Sequence, residues 1–160
     1  DLINFVLKLP KTVLIILGLN DRGTKMATIG KCLCGFIEVV SDEKPDQVIA
    51  CYCESCQKAC GGGASFNIIK SDEGARLSKG ETQVYNDTAD SGNSLERHFC
   101  GNCGSPVFSV TTSYPGFKIW KAGLFSDVDE LEVITNIWCD SAPSWSTINN
   151  AIPSHGKSRQ

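Results

Sequence analysis

The sequence predicts a mainly β domain stapled by zinc, and three observations carry that expectation. No long stretch repeats its apolar residues at a helical period. Short runs of β-forming residues are instead bounded by Gly, Pro, Asn and Asp, the residues that build turns. Nine cysteines lie at positions 32, 34, 51, 53, 56, 60, 100, 103 and 139. They cluster two or three apart, a spacing that suits a shared metal better than bridges between neighbours.

Taken in order, residues 27–40 read as strand, cysteine turn and strand, with Phe36, Val39 and Val40 as β-formers. Residues 43–46 (Glu-Lys-Pro-Asp) form a turn. Residues 48–53 read as a short buried strand that delivers Cys51 and Cys53, and residues 54–60 as one or two helical turns ended by Gly61-Gly62-Gly63. A strand is expected over 64–70, a loop with one helical turn over 71–80, a strand over 82–85 and a polar, flexible loop over 86–94. Residues 96–99 run into Cys100-Gly101-Asn102-Cys103-Gly104, residues 106–112 leave it as a strand, and 118–123 and 132–139 are further strands. Trp120, Trp138 and Trp145 are expected in the core, and Cys139 as a small buried apolar residue of the last strand.

At 160 residues the chain is expected to be one domain with tails, long enough to bury a core. The only methionine is Met26. Residues 1–25 are therefore read as an upstream or artificially added extension, 26–153 as the zinc-binding domain and 154–160 as a polar, frayed tail. The apolar run 13–17 is too short to span a membrane, and no signal-type cleavage site follows it, so no membrane association is expected. A formal net charge of −3 and a pI near 5.3 leave no basic stripe, which argues against nucleic acid as a partner. Nine cysteines cannot all pair as disulfides, and together with the spacing this points to a reducing compartment, the cytoplasm.

Two constellations carry the chemistry. Cys100-Gly101-Asn102-Cys103 has the form of a zinc knuckle, a tight turn aiming two sulfurs inward, with glycine supplying positive φ. A structural zinc takes four ligands, and the best candidates for the other two are Cys32 and Cys34 in Gly30-Lys31-Cys32-Leu33-Cys34-Gly35. Four thiolates leave no open position, so such a site acts as a staple. Cys51-Tyr52-Cys53-Glu54-Ser55-Cys56 holds three cysteines in six residues. Three thiolates around zinc leave the vacant fourth position of catalytic sites, and a soft, sulfur-rich site suits an incoming thiolate. The alternatives are a second closed site, with Cys60 or His98 as fourth ligand, and cysteines that stay free of metal.

The motifs Gly30-Lys31-Cys32-Leu33-Cys34-Gly35, Cys51-x-Cys53-x-x-Cys56 and Arg97-His98-Phe99-Cys100-x-x-Cys103-Gly104 resemble the glutathione-dependent formaldehyde-activating enzyme family, also called centromere-protein-V-like. Lys79-Gly80-Glu81 with Tyr85, Ser91-Gly92, Gly123-Leu124-Phe125-Ser126-Asp127, Asn136-Ile137-Trp138 and Pro143-Ser144-Trp145 extend the likeness over residues 27–153. The resemblance implies an Mss4-like fold, a structural zinc on Cys32, Cys34, Cys100 and Cys103, and a second, catalytic zinc on Cys51, Cys53 and Cys56. It implies a carbon–sulfur lyase that forms S-hydroxymethylglutathione from glutathione, or another small thiol, and a small aldehyde such as formaldehyde. The chain departs from the family at Tyr52 and Asn136, where histidine is common, so the substrate pocket differs while the ligands are kept.

A free thiol is mostly protonated at neutral pH, and zinc would deprotonate it and hold it beside a carbonyl. Among nearby residues, Gly61–Gly63 serves as a turn or as a surface for a peptide-like ligand, Arg97 as a structural residue or a carboxylate partner, and His98 as a strand residue with its bonds satisfied. Tyr52 points into the site or away from it. The competing function is a zinc-stapled binding module without catalysis, which a closed second site would favour.

Overall fold

The computed structural model describes residues 27–126 and 131–158, together with Pro10. Apart from Pro10, the extension of residues 1–25 with its apolar run lies outside the described residues, as do Met26 and Asp127. The strands are β1 (Thr28–Lys31), β2 (Glu38–Ser41), β3 (Gln47–Cys51), β4 (Ser65–Ser71), β5 (Ala75–Lys79), β6 (Thr82–Thr88), β7 (Ser94–Cys100), β8 (Pro106–Thr111), β9 (Phe117–Lys121) and β10 (Glu132–Ile137). One α-helix, α1 (Glu54–Cys60), follows β3. The strands form a three-stranded sheet, β1-β2-β5, and a seven-stranded sheet, β10-β3-β4-β9-β8-β7-β6. The β10–β3 pair is parallel, and the other pairs are antiparallel.

Side chains alternate across a pleated strand, and the register turns that alternation into two unlike faces. One face aligns Ile68, Trp120, Phe108, His98 and Val84 across five strands. Ile68, Trp120 and Phe108 are buried in one core with Ile37 and Val39 of the small-sheet segment and with Leu124 and Phe125. The rings of Phe108 and Trp120 sit 4.7 Å apart in a tilted pair, an arrangement that adds roughly 0.5–1.5 kcal/mol to the burial itself. The other face aligns Cys51 with Ser65, Asn67 with Lys121, and Ser109 with Arg97 and Tyr85. It is polar although Ser65, Asn67 and Ser109 are buried, and α1 begins directly after the Cys51 end of it.

Five expectations are corrected. Residues 75–79 are a strand rather than loop, because β5 pairs along β2 and buries Ala75; only Ala75 and Leu77 mark its inward face, too few to show a period. β6 runs on to Thr88. As an edge strand it has little buried face, so its sequence carries no apolar alternation. Cys139 lies beyond the last strand in a 3-10 turn, Cys139–Ser141, and is only half-buried. Of the three tryptophans Trp120 alone is core; Trp138 takes a left-handed backbone at φ 60° and Trp145 is 71% exposed. The tail is not frayed over residues 154–157. The His155 N–H donates to the Asn136 carbonyl, and the Cys139, Asp140 and Trp138 amides donate to the carbonyls of His155, Gly156 and Lys157.

Candidate metal centres

The sulfurs of Cys32, Cys34, Cys100 and Cys103 all lie within 4.8 Å of one another. Two turns of the same design bring them there. The Cys32 amide donates to the Ile37 carbonyl and the Cys100 amide to that of Ser105, closing each loop on itself. The glycine after each second cysteine, Gly35 and Gly104, carries the positive φ, 71° and 74°. Gly101, inside the knuckle, does not, and a Cβ there would meet the Gln83 side chain at 2.9 Å. The Ile37 N–H points at the Cys32 sulfur at 3.2 Å, and the Ser105 hydroxyl lies 3.2 Å from that of Cys103. Those Ser105 contacts, side chain first and then amide, bring the Cys103 thiol down to about 6.

The sulfurs of Cys51, Cys53 and Cys56 form a second set within 4.8 Å of one another. β3 ends on Cys51, and Cys53 is the N-cap of α1, its sulfur accepting the Cys56 amide at 3.4 Å. The cap thus fixes the second and third sulfurs together. Hydrogen bonding from Cys51 and Cys53, with the charges of Lys121 and Arg97, draws the Cys56 thiol down to about 2. Cys51 moves up, held by its bonds to Cys53 and Cys56 and by burial.

Both donor sets fit zinc. Thiolates about 2.3 Å from a tetrahedral zinc stand about 3.8 Å apart. The Cys32–Cys34 and Cys34–Cys100 sulfur pairs are at 3.6 and 3.7 Å. Among the described residues, neither Cys60 nor His98 joins the second set. The Cys60 thiol turns to the Ala64 carbonyl at 3.2 Å. His98 stacks on Phe108 at 4.0 Å on the opposite, apolar face, with its Nδ1 2.8 Å from the Thr82 hydroxyl; it is a strand residue with its bonds made.

A cleft of about 500 Å³ is bounded by Ser55 and Lys58 of α1 and by Asp87, Arg97, His98, Phe108, Ser109 and Lys121, while the three cysteines are not among its lining. Arg97 Nε donates to Asp87 Oδ2 at 2.8 Å, both side chains being largely buried. Burial alone would lower the Arg97 pKa; Asp87 and Cys56 outweigh it and raise the pKa. Ser55 reaches Asp90 at 2.9 Å and ties α1 to the loop between β6 and β7. Tyr52 is buried and donates to the Thr147 carbonyl, so its ring serves the C-terminal segment. Asn136 is buried, donating to the Asn149 carbonyl and to Ser154. Gly61 caps α1 in the left-handed conformation. The close approach in that glycine run is internal, since a Cβ on Gly63 would meet the Ser146 hydroxyl at 2.5 Å. Lys121, Ser65, Asn67 and Asp87 were not singled out by sequence. The alternation Ser65-Phe66-Asn67-Ile68 marks a polar strand face, but only the register shows that Lys121 sits opposite Asn67.

A sequence model of the family described as "Glutathione-dependent formaldehyde-activating enzyme" matches residues 27–141. A Halomonas elongata protein named "Putative glutathione-dependent formaldehyde-activating enzyme" is 26% identical over 126 residues, covering 76% of this chain and 80% of that protein. A crystal structure of a Rhodobacter sphaeroides protein shares the fold, with a TM-score of 0.52 at 19% identity over 66% of this chain and 96% of its own. The family match spans both cysteine clusters and the strands that bring them together, and the chain belongs to the glutathione-dependent formaldehyde-activating enzyme family.

Proposed function

We propose that this chain is a zinc-dependent carbon–sulfur lyase that joins a small thiol to a small aldehyde and splits the adduct again, in the manner of an S-hydroxymethylglutathione synthase. The observation that carries the reading is the three-sulfur set. Cys51, Cys53 and Cys56 converge with no fourth Cys, His, Asp or Glu joining them among the described residues, and Ser55 and Lys58 of the same segment line a cleft. In this reading Cys32, Cys34, Cys100 and Cys103 hold a structural zinc, and Cys51, Cys53 and Cys56 hold the catalytic one. Bound there, zinc would supply a cation that deprotonates a thiol at neutral pH.

The chain's own residues do the rest. The α1 cap keeps two of the three sulfurs in register with the end of β3. Arg97 and Lys121 bring positive charge to the sulfurs from the sheet. The cleft is large enough for a peptide-sized thiol, lying within the roughly 300–1,000 Å³ of small-molecule sites. Sulfur adds to the carbonyl carbon, a C–S bond forms, and the carbonyl oxygen takes up the proton lost from the thiol. The reverse step returns that proton and releases the aldehyde. The rate gain comes from holding the two reactants together.

The test is a native mass spectrum of the zinc-loaded protein with and without glutathione, followed by NMR exchange measurements with labelled formaldehyde. Two zincs, one glutathione adduct and faster adduct formation are expected. Cys53→Ser should lose the adduct and the acceleration while staying folded. Full activity in Cys53→Ser, or no thiol bound and no acceleration in the wild type, overturns the reading.

A further inference from the structure

The ammonium of Lys121 donates to Ser65 Oγ at 2.9 Å and to Asn67 Oδ1 at 2.7 Å. Asn67 is in turn braced by Ser65, whose hydroxyl donates to Asn67 Oδ1 at 3.0 Å, while Asn67 Nδ2 donates to the Ser65 carbonyl at 2.8 Å. Cys51 is the cross-strand partner of Ser65, and Lys121 that of Asn67, so sulfur and ammonium occupy one patch of the polar sheet face. Both named partners of Lys121 are neutral oxygens. The other cations of the cleft have carboxylates: Arg97 has Asp87, and Lys58 has Glu54 at 3.8 Å. A partly buried ammonium without a carboxylate is costly unless another anion stands near. Burial lowers the Lys121 pKa and the Arg97 charge adds to the lowering, while Cys56, Cys51 and Cys60 act against it. The four-cysteine set has the Ile37 amide and the Ser105 hydroxyl against its sulfurs, where the three-cysteine set has the Cys56 amide on Cys53.

We infer that Lys121 is a positioning residue of the three-cysteine centre: its ammonium, pinned by Ser65 and Asn67, offsets the negative charge that gathers when a thiolate enters. The inference rests on the open-site reading above. Three thiolates and a divalent cation sum to −1, and an entering thiolate makes −2. A fixed positive charge at this face therefore favours the entering sulfur, whatever the rest of the thiol carries.

The experiment is calorimetric binding of glutathione and of the neutral thiol 2-mercaptoethanol to the zinc-loaded protein, with zinc content and circular dichroism recorded for every variant. Lys121→Met and Asn67→Asp should each weaken both thiols by about tenfold or more, a size typical of one charge at short range in a partly screened site. Asn67→Asp keeps the side-chain volume and captures the ammonium in an ion pair, so it tests the charge where Lys121→Met fails to fold. Lys121→Arg, which keeps the charge, should stay within about threefold of wild type. Unchanged affinities overturn the inference. A loss confined to glutathione also overturns it, because Lys121 would then be holding a carboxylate. Zinc lost from the three cysteines in these variants overturns it as well, since Lys121 would then serve metal retention rather than thiol entry. A wild type that binds neither thiol removes the open-site reading and this inference with it; wild-type binding with unaltered variants removes this inference alone.

Discussion

Replacing Cys100 with serine should do far more harm than replacing Cys53, and the difference can be worked from the two sites. Cys34 and Cys100 are 66 residues apart, and their sulfurs meet at 3.7 Å. Closing a loop of that length through a shared metal removes about 4.4 kcal/mol of chain entropy from the unfolded state. A domain of this size has only about 5–15 kcal/mol of net stability. Cys100 is also fully buried, so the serine hydroxyl would lose its hydration without gaining a metal bond. At about 2–4 °C per kcal/mol for a chain of this length, the melting temperature should fall by about 9–18 °C, and zinc content should drop by one equivalent. Cys53 and Cys56 enclose a single turn, so the corresponding loop term is small, and Cys53→Ser should cost under about 2 kcal/mol. Thermal melts by circular dichroism, with zinc measured on the same samples, decide the matter. Equal losses in the two variants, or a Cys100→Ser protein that melts like wild type, would refute the assignment of staple and working site.

Other outcomes follow from single contacts. Asn136→Ala leaves the Asn149 carbonyl and the Ser154 hydroxyl without the amide that now serves both, and should cost roughly 2–4 kcal/mol by denaturant unfolding while thiol affinity stays unchanged. Asp87→Asn removes the charge partner of Arg97 and should cost about 1–3 kcal/mol in the same assay. Trp145→Ala removes a large but exposed side chain and should shift stability by no more than about 0.5 kcal/mol. Glu38 is held below the ordinary carboxylate range, first by its bond to Lys31, with Lys79 adding to the effect. A depressed carboxylate stabilises the fold above its unfolded pKa, and that contribution is lost as pH falls through the lower folded value. The Glu38 carboxyl should therefore titrate below other glutamates by NMR, and Lys31→Met should raise it.

The sequence was most legible where chemistry and spacing are local. Cys51, Cys53 and Cys56 fall within six residues, so a strand end and one helix cap suffice to gather them. The knuckle at Cys100 likewise closes on itself. Strands rich in β-forming residues, such as β4 and β8, announce themselves by composition. β5 and β6 do not, because one has only two inward apolar residues and the other lies at a sheet edge. Lys121 could not be read at all. Its meaning depends on which strand lies beside β9 and in which register, a long-range fact that no window of sequence carries. Tyr52 was ambiguous for the same reason, since its hydroxyl meets Thr147, 95 residues away.

The seating of the chain's end has a consequence for synthesis. Residues 153–157 are bonded to residues 136–140, Ser141 takes the Gln57 amide of α1 at 2.8 Å, and β10 lies parallel beside β3. Cys51, Cys53 and Cys56 lie within six residues and so leave the ribosome together. The strand that flanks them and the carbonyl that steadies their helix come from the last third of the chain. Pairings between such distant segments form late, so the thiol cluster stays unroofed until residues 132–157 have been made. A segment inserted directly after residue 158 would tug on that closing seam.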